Sequence, residues 1–183
     1  LGTSLFAVLE DNDFSPVELP HDWLIFNTQN LYETVEGWYR KRFFCARTST
    51  SEHQKEIFRD DMEIFYIDEE ESALLNFEGV YMNSTIYLNG REAFCWKYGY
   101  SSFTFDAAPY LKEGENEIVV RVVHQSPNSR WYSGAGLYRN IWLSIKKPIH
   151  FYTDGIYVVT KKNDDHWIAE IDSPNGYTPL YAF

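Results

Sequence analysis

Thr85-Ile86-Tyr87-Leu88-Asn89-Gly90, followed after Arg91 by Glu92-Ala93-Phe94-Cys95-Trp96, is the stretch that decides the fold. Ile86 and Leu88 fall on one face of an extended chain and Thr85 and Tyr87 on the other, the two-residue period of a half-buried strand. Asn-Gly then supplies two residues that tolerate positive φ, as a tight hairpin turn requires. The stretch therefore reads as a β-hairpin whose return strand runs from Glu92 to Trp96.

The same grammar extends outward. Ile118, Val120 and Val122 share one face and Val119, Arg121 and Val123 the other, after a Gly-Glu-Asn turn at 114–116. Ile141, Leu143 and Ile145 alternate with Trp142, Ser144 and Lys146, and the aromatic run Trp38 to Phe44 favours a strand although its alternation is imperfect. Short strands at roughly ten-residue spacing, with Gly, Pro and Asn between them, predict an all-β sandwich. Glu56 to Ser72, which carries Asp60, Asp61, Glu63 and Asp68-Glu69-Glu70-Glu71, reads as an exposed acidic connection with room for a short helix before a solvated loop. Pro148 marks a domain edge, giving a sandwich over 1–148 and a second domain starting at 149. In 149–183, Gly155 to Thr160 and Trp167 to Ile171 read as two strands, too few to bury a sandwich core. They are expected to open a domain whose remainder lies elsewhere.

Composition agrees with strands and removes some functions. Of 183 residues, 18% are aromatic, and rings suit pleated, half-buried surfaces; an exposed ring also has a flat face able to stack on a sugar. The net charge of −11 would repel nucleic acid. No apolar run approaches the eighteen or so residues of a membrane span, and no signal-peptide pattern begins at Leu1. The chain opens inside what reads as folded sequence, so a cytoplasmic bacterial location is only the default, with a secreted or periplasmic one alongside. Cys45 and Cys95 match no zinc or redox spacing and, beside bulky aromatics, read as small core residues whose pairing the sequence leaves open.

Three segments are more specific: Leu19-Pro20-His21-Asp22-Trp23, Gly37-Trp38-Tyr39-Arg40-Lys41, and Ser129-Arg130-Trp131-Tyr132-Ser133-Gly134-Ala135-Gly136-Leu137-Tyr138-Arg139. In the same order come Phe77-Glu78-Gly79-Val80-Tyr81, Tyr87-Leu88-Asn89-Gly90, Gly99-Tyr100 with Phe103, and Phe105-Asp106 leading to Pro109-Tyr110-Leu111. Over Leu1 to Pro148 the chain closely resembles the N-terminal sugar-binding domain of glycoside hydrolase family 2, the family of β-galactosidases, β-glucuronidases and β-mannosidases. It departs from the family pattern in three ways: Tyr98-Gly99-Tyr100 replaces the usual Gly-Gly-Tyr, the acidic 56–72 stretch is long, and an expected first strand is missing.

The resemblance implies a jelly-roll, galactose-binding-like sandwich, followed by the opening strands of an immunoglobulin-like domain. It implies a parent enzyme in which this domain packs on a catalytic (β/α)₈ barrel and lends a loop to its mouth. The Arg-Trp-Tyr-Ser-Gly-Ala-Gly form is most similar to the β-galactosidase branch, with β-glucuronidase and β-mannosidase as alternatives and a homo-oligomer as a candidate assembly. A barrel takes roughly 250 residues of alternating strands and helices, which this sequence lacks. Retaining hydrolysis takes two carboxyl groups about 5–5.5 Å apart, which in the family lie in the barrel. No catalytic residue is therefore expected here: Asp60, Asp61 and Glu69 to Glu71 sit in polar, turn-rich contexts, not in the apolar surroundings that a glycosidic acid needs.

The candidate carbohydrate-binding residues are Arg130, Trp131, Tyr132, Asn30 and Asp22. Arg can clamp hydroxyls or a carboxylate and Trp can stack on a sugar ring; the competing reading is that Trp131 and Tyr132 only pack a domain interface while Gly134 and Gly136 allow tight turns. The competing reading of Asp22 is a side chain that caps a turn at the corner after Pro20. Asn30, or Asn27, comes from the resemblance, whose equivalent loop brings an Asn to the substrate. No cofactor or metal is implied: Gly134-Ala135-Gly136 lacks a third glycine and an acidic partner, and His21, His53, His124, His150 and His166 show no ligand spacing. Asn83-Ser84-Thr85 reads as a coincidental glycosylation pattern. Two rival functions are a free-standing carbohydrate-binding module and a structural spacer.

Overall fold

The computed structural model describes residues 13–25, 29, 33–47, 62–127, 134–151, 155–164 and 166–172. The described strands are β1 (Val35–Ala46), β2 (Ile64–Tyr66), β3 (Ser72–Phe77), β4 (Ser84–Leu88), β5 (Arg91–Trp96), β6 (Phe103–Asp106), β7 (Gly114–His124), β8 (Ile141–Lys146), β9 (Tyr157–Asn163) and β10 (His166–Asp172). Two units separate at Lys146/Lys147.

The first unit is a β-sandwich of a five-stranded sheet, ordered β2-β1-β7-β4-β5, and a three-stranded sheet, ordered β6-β3-β8. Its core follows from the alternation: Ile118, Val120 and Val122 of β7 are 9%, 3% and 0% exposed, and Ala73, Leu75 and Phe77 of β3 face them. Each of these side chains larger than Ala73 contributes roughly 1.5–3 kcal/mol on leaving water. Aromatic stacking joins the sheets where Phe94 of β5 lies 4.9 Å from Phe105 of β6 across a 1° interplanar angle, and within the smaller sheet Phe77 stacks at 4.8 Å on its cross-strand partner Phe103. Asn89 and Gly90 take φ of 50° and 79°, the conformation expected of the Asn-Gly turn.

That turn is tied down by a buried amide. Asn116, 1% exposed, accepts through Oδ1 from Asn89 Nδ2 (2.8 Å) and Lys112 N (2.9 Å) and donates from Nδ2 to the Lys112 (2.7 Å) and Gly114 (2.9 Å) carbonyls. All of its hydrogen-bonding capacity is used, which is the condition under which burying it is tolerable.

The structure departs from the sequence reading in three places. Within the acidic stretch, Ile64–Tyr66 forms neither helix nor loop but a parallel edge strand on β1, with Phe44 paired to Ile64 and Phe65 packed edge-on against Phe43. Three residues are too few to show a period, and the pairing completes the edge of β1; residues 51–61 lie outside the described residues. Ser72–Phe77 and Phe103–Asp106 are also strands, the first obscured because adjacent Leu74 and Leu75 blur its alternation. Cys95 is exposed, whereas Cys45 is 1% exposed, and both are free thiols. With Phe94 and Trp96 packed on the core, the strand's period turns Cys95 outward, beside Glu92 Oε1 at 3.1 Å.

The second unit contains the β9–β10 hairpin, seven pairs long from Tyr157↔Asp172 to Asn163↔His166. Tyr157, Val158 and Trp167 are each more than half exposed, and Lys161 pairs with Glu170 at 2.7 Å.

Candidate functional site

The two motif segments that lie furthest apart in the chain meet at one end of the sandwich. His21 N donates to Leu137 O (2.8 Å) and Trp23 N to Ala135 O (3.0 Å), so the corner after Pro20 and the strand-like run from Gly134 form one wall. Gly136 is also bridged to Tyr81 by two reciprocal backbone bonds of 3.0 Å. Asp22, 4% exposed, holds the corner: its Oδ1 accepts from the N–H of Leu24 (2.9 Å), Ala135 (3.0 Å) and Ile25 (3.4 Å). An aspartate placed two residues before a turn can make such bonds locally, and here it also staples the turn to a segment 113 residues away.

Tyr39, reaching from β1, ties the wall to the large sheet. Its Oη lies 2.8 Å from His21 Nδ1 and accepts from Leu137 N at 3.4 Å, and burial pushes the phenol pKa up to about 12. Gly136 has φ +127°, and a Cβ there would lie 2.3 Å from Tyr39 Oη and 2.6 Å from the His21 carbonyl oxygen. Only glycine admits this approach.

Beside the wall lies a hollow of about 500 Å³ lined by Pro20, His21, Asp22, Ile25, Tyr100, Tyr138 and Arg139. Tyr138 Oη donates to the Gly99 carbonyl at 2.7 Å, its ring fits where Gly79 has no side chain, and burial raises its pKa. Tyr98 and Tyr100 pack edge to face at 5.6 Å, and Tyr98 remains 60% exposed. Among the described residues the lining thus combines two phenols, an imidazole, a guanidinium and one carboxylate, Asp22. A cup of this size with rings and a few polar groups suits a sugar unit. Among the described residues that line it there is no second carboxylate for a glycosidic acid–nucleophile pair. A smaller hollow of about 190 Å³ lies by the C-terminal end of β1, lined by Arg47, Asp68, Glu69, Glu71 and Lys112 among others. Among the described residues no group of His, Cys, Asp and Glu is arranged to hold a metal.

Of the sequence candidates, Asp22 lines the larger hollow, with its Oδ1 committed to the backbone. Arg130, Trp131, Tyr132 and Asn30 lie outside the described residues, as does Asn27. Sequence reasoning did not single out His21, Tyr39, Tyr100, Tyr138 or Arg139 as site residues, although each belongs to a quoted motif. Their convergence depends on pairing between distant segments, which no local pattern carries.

Residues 46–148 match the family described as "Glycosyl hydrolases family 2, sugar binding domain". A β-galactosidase of Bacteroides ovatus is 41% identical over 180 residues, covering 90% of this chain and 19% of the relative. A β-glucuronidase of Formosa agariphila is 25% identical over 127 residues, covering 62% of this chain and 11% of the relative. The crystal structure of a glycosyl hydrolase family 2 member from Bacteroides cellulosilyticus superposes with a TM-score of 0.66 at 31% identity, covering 90% of this chain and 21% of that one. The chain thus spans about a fifth or less of the length of these relatives.

Proposed function

The chain belongs to glycoside hydrolase family 2, as its sugar-binding domain, and from that premise we propose that it serves a retaining β-galactosidase by shaping one side of the active-site mouth. The catalytic carboxyl pair sits in a (β/α)₈ barrel on which the domain packs, and Arg130, Trp131 and Tyr132 are the residues lent to the substrate. Residues 149–183 are the start of an immunoglobulin-like domain. The observation that carries this reading is the joining of the His21–Asp22 corner to the Gly134–Arg139 run at the rim of one aromatic, polar hollow. In the sequence Arg130, Trp131 and Tyr132 precede that run.

The choice of β-galactoside rests on the Bacteroides ovatus relative, and the Formosa agariphila relative keeps a β-glucuronidase as the second reading. Assay of the enzyme carrying this domain on chromogenic β-galactoside, β-glucuronide and β-mannoside separates the two by kcat/KM. In that enzyme Arg130→Ala with Trp131→Ala is expected to lower kcat/KM tenfold or more, about 1.4 kcal/mol. Unchanged kinetics in a folded variant would leave the domain a spacer. Galactose binding by this chain alone tighter than about millimolar would instead mark a self-sufficient carbohydrate-binding module, since half a pocket cannot desolvate its ligand.

A further inference from the structure

An asparagine followed by glycine is the pair most prone to lose its side-chain amide, because the glycine has no side chain to obstruct attack by its nitrogen on the neighbouring amide carbon. Asn89-Gly90 is such a pair, and solvent reaches it: Gly90 is exposed and has nothing within 4 Å of its would-be Cβ. The reaction needs only water. Base takes the Gly90 N–H proton, the nitrogen's electron pair bonds to Asn89 Cγ, and the Cγ–Nδ2 bond breaks to release ammonia, which carries off the proton. Water then opens the resulting succinimide at either carbonyl, leaving aspartate or isoaspartate at position 89.

The folded hairpin engages that amide elsewhere. Nδ2 donates to the carbonyl of Tyr110, the last residue of the short 3₁₀ turn Ala108–Tyr110, at 2.9 Å and to Asn116 Oδ1 at 2.8 Å, while Oδ1 accepts from Glu117 N at 3.1 Å. Swinging Cγ onto the Gly90 nitrogen breaks all three bonds. Asn116 is the anchor that does not yield: it is 1% exposed, its Oδ1 also takes the Lys112 N–H, and its Nδ2 gives to the Lys112 and Gly114 carbonyls, so its amide cannot turn over. We propose that Asn89-Gly90 is a latent modification site that Asn116 keeps closed, so that Asn89 deamidates only when the turn leaves its native bonds. The change is one-way. An aspartate puts an oxygen where Nδ2 stood, facing the Tyr110 carbonyl and Asn116 Oδ1, neither of which can donate, and isoaspartate also lengthens the main chain of the turn. The site is independent of what the domain binds.

A net hydrogen bond is worth about a factor of five, so three of them should hold the folded rate about a hundredfold below that of the unfolded chain. The complete enzyme that carries this domain is incubated at mildly alkaline pH, folded and in urea, then digested at mildly acidic pH and mapped by mass spectrometry. The map separates Asn89 from Asn175, which also precedes a glycine. Asn116→Ala removes one of the three bonds and loosens the rest, and should deamidate at Asn89 about fivefold faster than the parent or more, with melting temperature reporting that it is folded. Should Asn116→Ala fail to fold, Asn116→Ser carries the same expectation. Adding Gly90→Ala should suppress the reaction again without restoring stability, because a side chain at 90 hinders attack by that nitrogen. Equal rates at Asn89 in folded and urea-treated enzyme, or a folded Asn116 variant no faster than the parent, would overturn the inference.

Discussion

Gly136→Ala tests how tightly the wall of the hollow is built. The residue sits at φ +127°, a conformation that costs an L-residue about 1–3 kcal/mol. The new methyl would lie 2.3 Å from Tyr39 Oη and 2.6 Å from the His21 carbonyl oxygen, and the second of these is backbone that cannot rotate away. Relief requires moving Tyr39 out of its contacts with His21 and Leu137, at about 1 kcal/mol for each hydrogen bond. The sum is a loss of about 3–5 kcal/mol, a large share of the 5–15 kcal/mol that holds a domain together. Gly90→Ala provides the control, since Gly90 has φ +79° but nothing within 4 Å of its would-be Cβ, and only the backbone cost of about 1 kcal/mol applies. Urea unfolding followed by tryptophan fluorescence suits the comparison, Trp23 being 3.2 Å from the same Cβ position. Equal midpoints for the two variants would refute the claim that close approach, rather than φ alone, demands glycine at 136.

Asp22→Ala should destabilise by about 2–4 kcal/mol because it strips the acceptor from buried N–H groups, whereas Asp22→Asn, which keeps one oxygen, should recover part of the loss in the same unfolding assay. Native thiol titration with a chromogenic disulfide at mildly alkaline pH should label Cys95 and spare Cys45, whose pKa burial pushes up to about 11; both should react in denaturant. Glu36, bonded to Arg121 and to Trp38 Nε1 at 2.8 Å, has its pKa lowered chiefly by the Arg121 hydrogen bond. A carboxyl with a depressed folded-state pKa adds stability above its unfolded pKa and loses it as pH falls through the folded value, so Glu36→Gln should cost more at pH 7 than at pH 3. The pair is about a third exposed, so the difference is expected to stay below about 1 kcal/mol.

Clean two-residue alternation and strong turn chemistry were legible at once. The Asn89-Gly90 hairpin, the long β7 and the six-residue β8 appear in the structure where the pattern puts them. Elements whose pattern is short or blurred were not: Ile64–Tyr66 owes its strand to the open edge of β1, and Ser72–Phe77 hides its period behind two adjacent leucines. Cys95 shows the opposite failure. Its aromatic neighbours suggested a buried thiol, yet their own inward orientation is what turns it to solvent. At the site, the motifs were visible as strings but not as a surface.

What the residues settle by themselves is local: extended segments, a hairpin register and a set of motif strings, because alternation, turn dihedrals and composition act over a few neighbours. Family membership follows from the order of those strings. The convergence of His21, Asp22, Tyr100, Tyr138 and Arg139 on one hollow, the commitment of Asp22 Oδ1 to backbone amides and the demand for glycine at 136 belong to the tertiary structure alone. They depend on hydrogen bonds between segments about a hundred residues apart, and such pairings are chosen by the packing of whole sheets and not by any neighbourhood of the chain.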